Sequence, residues 1–443
     1  MDKYLQHYAE PEVGALDGLP AVPCWENVLV IPACNENTGF LRPLPPCAGR
    51  SLMVLVINET AGAAREVSLH NRRLAEAVQA GFEPAWQSAP EYGLSLWRDP
   101  ASPRDLLLAD RFNEGRQLPA GGGVGLARKT GADLALALVR RQRIRSRWIH
   151  CSDADVRLPA TYFSCISGAA VDAADYSALV YPYSHVGDGA EDSDVFSATQ
   201  RYELSLRYYV AGLKFAGSPY AFHTIGSTMA VSASAYAKVR GFPRREAGED
   251  FYLLNKLAKV GPVLELEAGP GCSAIEIESR CSDRVPFGTG AAVKRITAMH
   301  DPEAGYLYYN PAVFVLLRTW LQSLPAIWRS GRADPGEALR GQGGDRQPAL
   351  LAALGELNTQ KALEHAFRQS GDLDQFKRQV HTWFDAFRTL KLIHALRGAC
   401  LPSISRAELQ AHPVFRSLLA GDRQLAAFYR RFESAPARRY FNG

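Results

Sequence analysis

From residue 28 to about residue 270, short apolar runs alternate with amphipathic stretches, the pattern of an α/β layered fold. The apolar runs fall at 28–31, 52–57, 106–109, 148–151, 178–181 and 228–231. They are β-branched or aromatic and mostly too apolar to present a wet face, which predicts buried strands in a mainly parallel sheet. Apolar residues recur at helical spacing over 61–80, 124–141, 232–240 and 249–260. After about residue 290 the pattern changes. Glycines and polar residues over 330–346 read as an exposed loop or linker, and 348–369, 373–397 and 423–432 read as helices. No internal repeat interrupts this order. A chain of 443 residues is too long for one compact core. The expectation is an α/β domain over 1–290 and a mostly helical region over 291–443.

Composition changes this picture little: 47% hydrophobic and 22% charged residues describe an ordinary globular chain. The net charge of +4 is not gathered into one block, and the densest basic run, 140–145, reads as a solvated helix end. No nucleic-acid partner is implied. Eight cysteines without a Cys-x-x-Cys pair argue against a zinc ribbon or a dithiol redox motif. The N-terminal residues lack the apolar core of a signal peptide, and no apolar run reaches the roughly 18 residues of a membrane span. The expected location is cytoplasmic. The aromatic-rich stretch 306–328 leaves two readings open, a buried helix or peripheral contact with a membrane surface.

The strongest chemical signal is Trp148-Ile149-His150-Cys151-Ser152-Asp153-Ala154-Asp155. An apolar strand runs into two aspartates one residue apart, at the strand end where open α/β sheets bind ligands. Carboxylates so placed repel each other, and Mg²⁺ or Mn²⁺ is the usual remedy, since both take oxygen ligands and share their shell with phosphates. An isolated Asp-x-Asp is also compatible with a loop acid capping the next helix. A second signal is Val28-Leu29-Val30-Ile31-Pro32-Ala33-Cys34-Asn35-Glu36, a buried strand ending at a proline and followed by small and polar residues.

Here the chain resembles glycosyltransferase family 2, whose first strand ends in a similar Ile-Pro-Ala-x-Asn-Glu stretch. Further pieces follow in the family's order. Gly123 to Gly131 resembles its glycine-plus-Ala-Arg helix start, and Asp153-Ala154-Asp155 falls at its acidic motif. Gly226 to Val231, Arg240-Gly241-Phe242 and Gly248-Glu249-Asp250 resemble its acceptor-side segments. The resemblance spans roughly 27–265. It departs from the pattern at Ile57-Asn58-Glu59-Thr60, where members often carry Asp-Asp-Gly-Ser, at the single glycine before Phe242, and in a long stretch over 81–120 that reads as an insertion.

The resemblance implies a GT-A fold, that is, a Rossmann-like α/β/α sandwich of the nucleotide-diphospho-sugar transferase type, and transfer of a sugar from a nucleoside-diphosphate sugar to an acceptor hydroxyl. It implies donor contacts at Pro32, Ala33, Asn35, Glu36, Arg128 and Asp153; at the departure Asn58 and Glu59 could still address the base or ribose, and Arg284, in a glycine-flanked loop, is a candidate phosphate donor. Asp155 and Asp153 are its metal ligands, and His300 is a candidate third. Asp250 becomes the general base of an inverting reaction, with Glu249 beside it. An aspartate ordinarily titrates near 3.9, so burial that raises its pKa would improve it as a base. The alternative for both acids is favourable charge at a helix N-terminus.

Gly121-Gly122-Gly123 ahead of a helix would let backbone N–H groups approach a diphosphate, with Arg128 in the first turn. The phasing does not match a dinucleotide fingerprint. Gly288 and Gly290 beside Arg284 suggest hinges of a closing loop, and His223 is an acceptor-side candidate. A retaining GT-A enzyme and a non-catalytic sugar-nucleotide sensor share much of this signal. A nucleotidyltransferase would need a basic glycine-rich loop after the first strand, which Pro32 to Glu36 does not supply. The acceptor, whether saccharide, lipid-linked or small molecule, is not legible from sequence, and neither is the oligomeric state.

Overall fold

The computed structural model describes residues 1–20, 24–41, 44–166, 175–187, 193–282 and 288–434. The chain divides into two compact units, Met1–Glu191 with Thr224–Ala291, and Asp192–His223 with Ala292–Gly443.

The first unit is built on a nine-stranded sheet. Its centre is parallel: β6 (Trp148–Cys151), β1 (Asn27–Ala33), β2 (Ser51–Asn58) and β5 (Arg104–Arg111). Every residue of β2 is buried, and so are six of the seven in β1, as their unbroken apolar sequences require. The flanks differ from the mainly parallel expectation. On one side β10 (Met229–Ser232) runs antiparallel to both β6 and β8 (Ala178–Val180), and β11 (Val263–Glu265) closes that edge. On the other side β4 (Leu94–Arg98) and β3 (Glu83–Gln87) form an antiparallel hairpin inside the stretch read as an insertion. β3 is largely exposed and irregular between Pro84 and Trp86, as suits an edge strand that cannot donate through proline. A small second sheet joins β7 (Val156–Arg157), β12 (Ile275–Glu278) and β9 (Tyr183–Val186).

The helices of this unit that bear on the site are α1 (Asp2–His7), α2 (Arg65–Gly81), α3 (Gly123–Arg140) and α4 (Glu249–Leu257). Helix α3 packs directly on the sheet centre, and fourteen of its eighteen residues are buried. Gly131 permits that approach, because a Cβ there would lie 2.4 Å from Val30 Cγ1 and 3.2 Å from Val56 Cγ2. Gly131→Val is therefore expected to cost about 1–3 kcal/mol through overpacking, read as a lower urea midpoint; an unchanged midpoint would show that the sheet yields at no cost.

A buried polar network holds α3 from its other side. Asp133 accepts hydrogen bonds from Tyr4 Oη (2.6 Å), Tyr236 Oη (2.8 Å), the Glu10 N–H (2.9 Å) and Lys129 Nζ (2.5 Å). Each partner is itself satisfied: Lys129 also donates to the Tyr8 carbonyl at 2.7 Å, and Arg244 pairs with Glu10 at 2.8 Å. The basic run at the end of α3 is paired too, Arg140 with Asp2 and Arg141 with Asp17. The N-terminal residues thus strap the helix that carries Arg128.

The second unit is helical and has its own apolar core. Helix Asp194–Ala216 belongs to it, capped by Ser193 at one end and by Gly217 in the left-handed region at the other. The stretch 306–328 contributes a helix, Ala312–Ser330, whose Trp320 and Phe314 are fully buried and whose Trp328 stacks on Phe367. Among the described residues no helix is long and apolar enough to cross a membrane. Two stretches expected as single helices are each broken. Asn358, in the left-handed region, separates Gln347–Glu356 from Thr359–Arg368, and Asp385 caps Ala386–Ala399 after Leu373–Trp383 has ended. Residues 330–346 hold short helical turns at Pro335–Ala338 and Gly344–Arg346.

Candidate active site

The exit of β1 sets the geometry. β1 stays paired with β2 through Ala33, but its last partner on the other side is Cys151, opposite Val30, before the Ser152 N–H donates to the Val30 carbonyl at 3.0 Å. Pro32, with no N–H to offer, sits where β6 has already departed. The departing chain carries Asp153 and Asp155.

Arg128 gathers this turn. It is buried, and its Nη2 donates to Asp153 Oδ1 at 2.7 Å while its Nε donates to Glu249 Oε1 at 3.0 Å. Its Nη1 reaches the carbonyls of Ser152 (3.3 Å) and Gly226 (3.2 Å). Burial opposes the guanidinium charge, but Asp153 and Glu249 outweigh it and hold its pKa above the ordinary value. Arg128 lies in the second turn of α3, not the first as expected. The glycine row also has another use. A Cβ on Gly123 would meet the Glu246 backbone at 2.6 Å, one on Gly125 the Arg245 carbonyl at 2.5 Å, and the Gly125 N–H already donates to Arg245. These glycines admit the backbone of 243–246 onto the helix start.

Glu249 and Asp250 open α4 after Gly248, which is left-handed at φ +73°. Glu249 is buried against Arg128, and Asp250 is half-buried. Burial, reinforced by the Glu249 charge, pushes the Asp250 carboxyl up to about 7 against a hydrogen bond from the Phe251 N–H and the pull of Arg128. Asp155 is pushed up to about 6 by burial and by Asp153, with Arg280 acting in the opposite direction. Glu36 is raised too, by burial, with Arg280 again opposing.

Arg280 had no signal in the sequence. It follows β12, and its guanidinium forks onto Glu36 at 2.9 and 3.0 Å while reaching Asp155 Oδ2 at 2.5 Å. Among the described residues, five carboxyl groups (Glu36, Asp153, Asp155, Glu249, Asp250) face two guanidinium groups, Arg128 and Arg280. The described part of the cluster holds more acid than base. Behind it, His150 is buried among Tyr162, Phe163 and Tyr181, and burial lowers its pKa to about 3, so it forms a neutral wall.

The remaining candidates divide. Asn35, left-handed at φ +56°, shares a side-chain hydrogen bond with His70, and its N–H donates to Asn71 Oδ1 at 3.0 Å. Asn71, unmarked by any motif, is a buried hub that also donates to the Asn58 carbonyl and to Glu59. Asn58 turns its amide onto the carbonyls of Ala33 and Val56, so it splices β1 to β2, and Glu59 accepts from Ser68 of α2. Both are buried and engaged within the fold. Arg284 lies outside the described residues. Gly290 is packed against Ser282, where a Cβ would stand 2.5 Å from Ser282 Cβ. His300 is exposed and His223 buried, and both belong to the second unit.

Asp153, Asp155 and Glu36 offer carboxylate oxygens alone, the donor class of Mg²⁺ and Mn²⁺. Among the described residues no three His, Cys, Asp or Glu side chains converge as a metal cage. What this donor set fits is a cation bound by one or two carboxylates and completed by phosphate oxygens and water.

No protein-family model matches the chain, and no curated protein matches it. Among solved structures it is similar to the mannosyltransferase PcManGT from Pyrobaculum calidifontis, solved in complex with GDP-Man and Mn²⁺. That similarity has 14% identity and a TM-score of 0.32 and covers 98% of this chain and 96% of the other.

Proposed function

We propose that the first unit is a GT-A type glycosyltransferase that moves a sugar from a nucleoside-diphosphate sugar to an acceptor hydroxyl, with Mn²⁺ or Mg²⁺ as cofactor and with inversion at the anomeric carbon. One observation carries this reading: the buried Arg128 guanidinium bonds Asp153 and Glu249 at once. The acidic turn after β6 and the start of α4, about a hundred residues apart in sequence, are thereby one site.

The roles follow from position. Pro32, Ala33, Asn35 and Glu36 line the β1 exit and take the nucleoside, with Asn58 and Glu59 shaping that exit from behind. Asp155 and Asp153 hold the metal. When bound, the cation neutralises charge that develops on the departing nucleoside diphosphate. Arg128 orients Asp153 through the 2.7 Å contact of its Nη2. Asp250 Oδ1 is held by the Phe251 N–H at 2.6 Å, which leaves Oδ2 to take the proton of the acceptor hydroxyl as that oxygen attacks. A carboxyl that titrates near neutrality is a better base than an ordinary aspartate, and this favours inversion over retention.

A thermal-shift screen of nucleoside diphosphates tests the binding half. One nucleotide is expected to raise Tm by about 5 °C when Mn²⁺ is present at saturating concentration, and much less without it. Asp155→Asn should erase the metal-dependent part. If no nucleotide shifts Tm in the presence of either metal, the proposed activity is wrong.

A further inference from the structure

Among the described residues two arginines sit in the acidic cluster, and they are held in different ways. Arg128 is 3% exposed and ties two backbone carbonyls besides its carboxylates, so it cannot leave without stranding buried groups. Arg280 is 29% exposed, and its partners among the described residues are carboxylates alone. Its grip is also uneven. It meets Glu36 through two nitrogens and Asp155 through one, so the Asp155 contact can open while the fork on Glu36 persists.

The placement is built into the fold. β7 begins immediately after Asp155 and pairs with β12, Ile277 opposite Val156 and Glu276 opposite Arg157. The Glu278 N–H then donates to the Asp155 carbonyl at 3.2 Å, which sets Arg280 two residues on, beside the carboxylate. Burial makes an uncompensated charge at Asp155 costly, and the fold supplies a cation of its own.

We propose that Arg280 is a resident counter-ion that competes with the divalent cation for Asp155, so that metal loading requires the guanidinium to release that carboxylate. The inference rests on the metal-binding role assigned to Asp155 above. A guanidinium and a divalent cation on one carboxylate repel each other at contact distance, and the protein-borne one already holds Asp155 Oδ2. Metal affinity in the nucleotide-free protein is therefore held down by a side chain that is not a ligand.

The test is Mn²⁺ titration of the nucleotide-free full chain, with free Mn²⁺ read by electron paramagnetic resonance. Arg280→Gln, which keeps the length and loses the charge, should bind Mn²⁺ about ten-fold more tightly than wild type. Arg280→Lys, which keeps the charge, should stay within about three-fold of wild type. Asp155→Asn placed in the Arg280→Gln background should return binding to a weak level. A second readout uses the wild-type protein. Mn²⁺ should speed modification of Arg280 by a dicarbonyl reagent, followed by peptide mass spectrometry, because the guanidinium has lost one of its two carboxylate partners. Equal or weaker Mn²⁺ binding by Arg280→Gln, or equal tightening by the lysine variant, overturns the competition and leaves the metal site standing. Unchanged or slower modification in Mn²⁺ overturns it too. Absence of Mn²⁺ binding in every variant overturns both the competition and the metal role of Asp155.

Discussion

Asp250→Asn is expected to lower kcat by about 10²- to 10⁴-fold while Mn²⁺-dependent nucleotide binding stays close to wild type. Asparagine keeps the volume and can still accept the Phe251 N–H, so the start of α4 is preserved and only the proton acceptor is lost. In the wild-type protein the rising limb of kcat/KM against pH should have its midpoint near 7, where burial and Glu249 place this carboxyl, and not near the ordinary 3.8. The same shift has a stability consequence. The folded-state pKa lies above the unfolded one, so between about pH 4 and pH 7 the folded chain binds more protons and loses stability as pH rises. Asp250→Asn should therefore gain stability over wild type through that window, with the gain flat above it, as read from urea midpoints at pH 5 and pH 8. A variant that turns over at the wild-type rate would place the base elsewhere or point to a retaining enzyme, which anomer analysis by NMR would identify. Donor binding with no turnover in either protein would instead support a sugar-nucleotide sensor.

Arg128→Met should produce the largest loss of stability of any single change in the site, about 3–5 kcal/mol. The substitution preserves much of the apolar stem but removes donors to two carboxylates and two backbone carbonyls. Glu249, with a side chain only 5% exposed, is left as an unpaired buried charge. Adding Glu249→Gln to Arg128→Met should recover part of the loss, because the stranded charge goes with it. Both results are read from urea midpoints of the transition that reports the first unit. Gly226 supports the same contact from the other side: a Cβ there would lie 2.7 Å from Arg128 Nη2. A loss below about 1 kcal/mol would mean that the guanidinium is a surface-like ion pair, and the joining of the two acidic segments would lose its basis.

Much of the core sheet was legible because β1, β2 and β6 are apolar through most of their length and β5 through its central four residues, which only a strand covered on both faces tolerates. Strand direction was not legible. β10 reads like its neighbours in composition yet runs antiparallel, since apolar period carries no sign. β3 was missed because it is exposed, β7 because it has only two residues, and β12 because its Ile-Glu-Ile-Glu sequence alternates and forms no apolar run. Arg128, Asp153, Asp155, Glu249 and Asp250 could be named one by one from local pattern, but their meeting could not. Arg280 and Asn71 had no local signature at all, as each acts through partners distant in sequence.

Local sequence alone therefore determined where chain segments bury themselves and which short stretches carry acid at a strand end or helix start, because backbone period and charge act over a few residues. Only the tertiary structure decided which acids share a guanidinium, which glycines serve packing, and which carboxyls are lifted toward neutral pH. Those outcomes depend on desolvation and on charges brought within a few ångströms by the fold, and no property of a single segment contains them.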